Sequence, residues 1–109
     1  MSSSFSVRCL FLWRNGATQD GAHLYEERIT LWLATDIDHA LAQAEDEATR
    51  YAAASDCEFL GFSQAYALPE SVSVTNVEVF SLLRESKLIS SEYIDAFFDT
   101  GAERGSGHA

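Results

Sequence analysis

The sequence predicts an α+β fold, a four-stranded antiparallel sheet with elements in the order β-β-α-β-β-α and both helices on one face. Three observations predict it. Residues 5–14 and 24–34 alternate in character with the two-residue period of a strand. Residues 35–54 repeat apolar positions with the helical period. Two further apolar runs, 59–68 and 77–83, are bounded by turn-forming residues.

The first strand, Phe5 to Arg14, sets Phe5, Val7, Cys9, Phe11 and Trp13 on one side and Ser6, Arg8, Leu10, Leu12 and Arg14 on the other. The Gly- and Asn-containing stretch "NGATQDGAH" reads as a long hairpin loop. On the second strand, Leu24 to Ala34, the more apolar face carries Tyr25, Glu27, Ile29, Leu31 and Leu33. The mixed face carries Leu24, Glu26, Arg28, Thr30 and Trp32. In the helix "TDIDHALAQAEDEATRYAAA", residues 37, 40, 41, 44, 48, 51 and 52 form one apolar stripe. Thr35 is the expected N-cap, and Asp36 and Asp38 fall where the positive end of the helix dipole favours carboxylates. Glu45, Asp46 and Glu47 read as a solvated face.

Phe59 to Leu68 gives the third strand, with Gly61 marking either a bulge or a close-packing point and Pro69 and Glu70 ending it; Val77 to Leu83 gives the fourth. Ser90 or Ser91 caps a short second helix whose apolar side holds Tyr93, Ile94, Phe97 and Phe98. Residues 1–100 thus make a single domain, and the Gly-rich stretch 101–109 reads as a disordered tail.

Charge narrows the function. Seventeen acidic against seven basic residues give −10, and Lys87 is the single lysine, so nucleic acid and anionic membranes are disfavoured as partners. No apolar run approaches the ~20 residues of a membrane span. Cys9 and Cys57 have neither a Cys-x-x-Cys spacing nor a nearby histidine and read as reduced thiols of a cytoplasmic protein. Neither a metal nor another cofactor is expected. The three histidines are scattered, and Asp36 and Asp38 of "DIDH" do not share a helix face. Phosphate-binding glycine loops and nucleophile-elbow motifs are absent.

The acidic pair in "YEERITLW" poses the sharpest question, because adjacent strand residues point to opposite faces. A hairpin register pairing Arg14 with Glu26 would give Glu26 a cross-strand partner, setting Arg8 opposite Trp32 and Trp13 opposite Glu27. Glu27 then either lies wet at a rim or accepts hydrogen bonds from buried donors. A small ligand pocket lined by Trp13, His23, Tyr25, Glu27 and Glu78 is the functional alternative. The sheet face away from the helices, with Arg8, Leu10, Leu12, Glu26, Arg28, Trp32 and Phe80, would be covered by a second copy in a homodimer.

Three stretches, "YEERITLW", "DIDHALAQAEDEATRYA" and "VTNVEVFSLLRES", together resemble a family of short bacterial proteins known only as a domain of unknown function. The likeness covers roughly residues 5–98, the extent of one domain, and rests on Tyr25, Glu26, Glu27, Arg28, Tyr51, Glu78, Val79, Phe80 and Ser81. This chain departs from the pattern in "PESVSVTN", which lacks a glycine just ahead of the Glu-Val pair. The resemblance implies a fold neighbour and carries no activity with it. Residues and charge together lead to a non-catalytic homodimeric interaction module, inhibitor- or immunity-like by analogy; solubility is the plainer explanation of its acidity and a basic protein partner the sharper one. The alternative is a small-molecule binder or minor enzyme using the Glu27 pocket.

Overall fold

The computed structural model describes residues 2–98 and the backbone of Arg104–Ser106. Strand β1 (Ser3–Trp13) and strand β2 (His23–Ala34) form a long antiparallel hairpin. Helix α1 (Ile37–Ala54) follows, then β3 (Cys57–Ala67), β4 (Val77–Ser86), helix α2 (Ser90–Phe97) and the short β5 (Arg104–Ser106). The strand order is β4-β2-β1-β3-β5, with every pairing antiparallel. Four long strands and two helices in the order β-β-α-β-β-α make the α+β fold that periodicity predicts. Most of the expected tail falls outside the described residues, and β5 adds three residues to the free side of β3.

α1 forms where the apolar stripe lies. Ala40, Leu41, Ala44, Ala48 and Ala52 are buried against Phe5, Val7, Cys9 and Phe11 of β1, with Ile37 and Tyr51 packed beside them. Its N-cap is Asp36 rather than Thr35: the Asp36 carboxylate accepts from the His39 N–H at 2.8 Å, and Thr35 instead contacts the His39 ring. α1 joins β2 to β3, which run parallel to each other with β1 between them. Residues 68–76 then cross the ends of β1 and β2. Ser4 is bonded to Leu68 and Val72, and the Leu31 carbonyl accepts from Asn76, whose φ of 58° is one that asparagine tolerates.

The helices do not share a face. α2 packs on the opposite side of the sheet from α1, where Tyr93, Ile94 and Phe98 meet Leu10, Tyr25 and Phe62. The physical reason is that β1, at the centre of the sheet, carries apolar residues on both sides, Leu10 and Leu12 on the second, and needs two covers. The hairpin register is also displaced from the one expected. Phe11 stands opposite Glu26 and Trp13 opposite Leu24, so the α1 side of β2 is the mixed face with Glu26, Arg28, Thr30 and Trp32. Trp32 lies beneath α1 with its indole N–H donating to Thr30 Oγ1 at 2.6 Å. The expected dimer surface is therefore largely internal: Leu10, Glu26 and Trp32 are 0, 4 and 5% exposed within one chain. Full burial of each such apolar side chain contributes roughly 2 kcal/mol.

Gly61 occupies the bulge. Between the pairs Cys9–Ser63 and Phe11–Phe59, β1 advances two residues while β3 advances four, and Gly61 has φ +77°. A Cβ there would meet nothing within 4 Å, so a substitution is opposed by backbone conformation alone. Gly61→Ala should lower stability by about 1 kcal/mol in urea denaturation, with the cooperativity of unfolding unchanged.

Candidate functional site

β2 places Glu26 and Glu27 at adjacent positions, so one side chain enters each layer of the molecule. Both are buried, at 4 and 5% exposure. A carboxylate buried without partners costs several kcal/mol, so the location of its donors decides its role.

On the α1 side, Glu26 accepts hydrogen bonds from Trp13 Nε1 at 3.1 Å, from the Tyr51 hydroxyl at 2.8 Å and from Ser81 Oγ. These donors come from β1, α1 and β4. Arg28, two residues along on the same face, pairs with Glu47 of α1 at 2.6 Å and Glu78 of β4 at 2.5 Å. Its guanidinium lies 3.9 Å from the Tyr51 ring centre.

On the α2 side, Glu27 accepts two bonds from Arg8, one from Arg84 Nη1 at 3.2 Å and one from the Tyr93 hydroxyl at 2.6 Å. Two bonds reach each oxygen, which fills the acceptor capacity of a carboxylate. Charge-assisted bonds of this kind contribute about 1.5–3 kcal/mol each, enough together to offset desolvation. Arg8 continues the network: it stacks 3.6 Å from the Phe98 ring centre and donates to the Phe97 carbonyl at 3.1 Å. Tyr25 stacks on Tyr93 at 4.0 Å and donates to the Leu88 carbonyl at 2.6 Å.

The five residues expected to line one pocket are thus parted. Tyr25 and Glu27 are sealed beneath α2, while Glu78 is on the α1 side with Arg28. Trp13 and His23 line a cleft of about 300 Å³ under the hairpin loop, with Leu12, Arg14, Leu24 and Glu58. Arg14 bonds the Cys57 carbonyl and lies near Asp56 rather than Glu26. Of the expected dimer residues, Arg8, Leu10 and Leu12 belong to the α2 side, and Glu26, Arg28 and Trp32 to the α1 side. Phe80 is 52% exposed on β4. Sequence reasoning missed Tyr51, Tyr93 and Arg84 as partners. The two tyrosines stood in apolar stripes, and the signal was that a buried phenol must donate its proton somewhere.

Both carboxylates are buried, Glu27 with four bonds and Glu26 with three. Among the described residues there is no cluster of His, Cys, Asp and Glu that could hold a metal ion. Both cysteines are free and buried, and burial, then Glu45 and Glu47, pushes the Cys9 thiol up to about 12, far from a reactive thiolate. Burial and then the Glu26 carboxylate hold Tyr51 above the ordinary tyrosine range, and burial and then Glu27 do the same to Tyr93. Tyr25 is raised chiefly by burial.

Comparison with family models, curated proteins and solved structures returns no match to this chain. Of the nine residues that carry the sequence resemblance, Tyr25, Glu26, Glu27, Arg28 and Tyr51 lie in the contacts that fix the helices to the sheet, and Glu78 and Ser81 of β4 bond Arg28 and Glu26 of β2. The other two, Val79 and Phe80, are exposed.

Two measurements check this arrangement. Glu27→Gln removes the charge between two guanidiniums and should cost about 3 kcal/mol in urea denaturation, whereas Glu26→Gln, facing neutral donors, should cost about 1 kcal/mol. Equal costs would contradict the assignment. In alkaline titration, the folded protein holds the protons of Tyr25, Tyr51 and Tyr93 more tightly than the unfolded chain does. Their contribution to stability is complete below the unfolded value of about 10 and is lost as pH rises through the higher folded values. Tyrosinate absorbance of the native protein should lag that of the urea-unfolded chain above about pH 10, and coincident curves would exclude the buried phenols.

Proposed function

We propose that this protein is a small non-catalytic interaction module of the cytoplasm that works as a homodimer. The observation that carries this reading is a contrast between its acidic and apolar groups. The buried carboxylates are engaged by bonds that secure the helices, while Val79, Phe80 and Leu83 of β4 stand 53, 52 and 55% exposed. Large apolar side chains gathered on one strand at the surface favour an interface. Two free cysteines suit a reducing compartment, and no helix among the described residues is long and apolar enough to cross a membrane. The net charge of −10 favours a basic protein as a further partner.

Sedimentation equilibrium of the full chain tests the homodimer. Two chains of charge −10 repel each other, so screening should strengthen their association as salt is raised, whereas capture of a basic partner should weaken. A dimer is expected at roughly ten micromolar and above, and a chain still monomeric at about a millimolar would overturn the proposal.

A further inference from the structure

We infer that the two copies join edge to edge, β4 of one pairing antiparallel with β4 of the other about a two-fold axis to make one continuous sheet. This names the surface used by the homodimer proposed above and rests on that reading. β4 is the terminal strand of the sheet, and among the described residues nothing pairs with its outer side. Over ten residues, alternate backbone N–H and C=O groups therefore point to solvent along roughly 30 Å. Not one of the ten is buried.

The two edges of the sheet differ. β3 is blunted by the Gly61 bulge and by β5 paired at Ser63–Ala65. β4 contains neither lysine nor proline, the usual guards of an exposed edge. Its one irregularity is a register shift near its start. From Phe80 to Ser86 it runs in unbroken register against Ile29 to His23, leaving a regular template seven residues long.

Charge selects a second copy as the occupant. A chain of −10 can approach its twin only where its own charges are neutralised. In the Phe80–Ser86 stretch the charged residues are Arg84 and Glu85, which sum to zero. Arg84 is paired with Glu27, and the Glu85 carboxylate accepts from Thr18 N–H and Oγ1 at 2.8 Å. A basic partner would find little to attract it there. Antiparallel pairing of a strand with itself is isologous, so a single contact satisfies both open edges and closes the assembly at two. Pairing the whole stretch about its centre sets Leu83 of one copy opposite Leu83 of the other, with Leu82 one position away.

The test uses the full chain with single cysteines introduced as Phe80→Cys, Leu82→Cys and Leu83→Cys, treated with a short bismaleimide. Cys9 and Cys57 are buried and stay silent under native conditions. Covalent dimer is expected from at least one β4 position and not from Ala53→Cys on the exposed side of α1. Leu83→Lys should weaken dimerisation at least tenfold while leaving the circular dichroism spectrum and urea midpoint unchanged. If that variant is instead destabilised, cross-linking decides alone. A dimer by sedimentation with no cross-link from any β4 position would overturn the edge pairing and leave the homodimer standing. A monomer by sedimentation would overturn both.

Discussion

Two adjacent carboxylates on one inner strand constrain everything else in this molecule. Strand geometry sends Glu26 and Glu27 to opposite sides, and both sides are interior, so the protein must supply buried donors in each layer. Each layer answers with a helical tyrosine: Tyr51 of α1 reaches Glu26, and Tyr93 of α2 reaches Glu27. The flanking residues extend the same logic, since Arg28 holds Glu47 of α1 and Tyr25 holds the Leu88 carbonyl just ahead of α2. β2 therefore ties both helices through four consecutive side chains, and their polarity fixes its register as firmly as apolar burial fixes that of β1.

Much of the architecture was legible because it is periodic. The α1 stripe, the four long strands and the Gly61 bulge follow from spacing and from glycine's tolerance of positive φ. The placement of α2 is not, because alternation on β1 separates a wholly apolar side from one that mixes Leu10 and Leu12 with Ser6, Arg8 and Arg14. Leu10 and Leu12 on the second side looked like an interface with another chain, when the same chain supplies Tyr93, Ile94 and Phe98 to cover Leu10. Register failed for a related reason. Pairing Arg14 with Glu26 satisfies charge locally, but the structure instead satisfies Glu26 with neutral donors up to 55 residues away. No local pattern announces such partners. The candidate pocket dissolved with the register, leaving Trp13 and His23 together and sending Glu27 beneath α2.

The two networks also differ in electrostatic character. Glu26 is held by a phenol, an indole and a hydroxyl, an arrangement that keeps a single negative charge among neutral dipoles. Glu27 sits between two guanidiniums, so its site carries one surplus positive charge within an otherwise acidic protein. That surplus is spread over Phe98 and Phe97, whose rings lie 3.6 and 3.9 Å from Arg8 and Arg84. Aromatic faces at this distance stabilise cations without adding further acidic side chains to a crowded interior.

The stability of each helix follows from where its partners lie. α1 has 18 residues, a carboxylate N-cap and an apolar stripe, and it packs on strands close to it in sequence. α2 has eight residues and no side-chain cap, too little for a helix to persist by itself. Its anchors come from across the chain: Glu27 is 66 residues from Tyr93, Arg8 is 89 from Phe97 and Gln64 is 34 from Phe98. Arg8 and Gln64 occupy the carbonyls at its C-terminal end, where cations and donors are favoured. The lasting contacts of α2 need β1, β2, β3 and β4 aligned, so its stability is borrowed from the assembled sheet. Release of α2 would expose Glu27 and the stacked tyrosines together, so the dryness of that layer, and with it the chemical silence of the carboxylate, depends on the shortest helix in the fold.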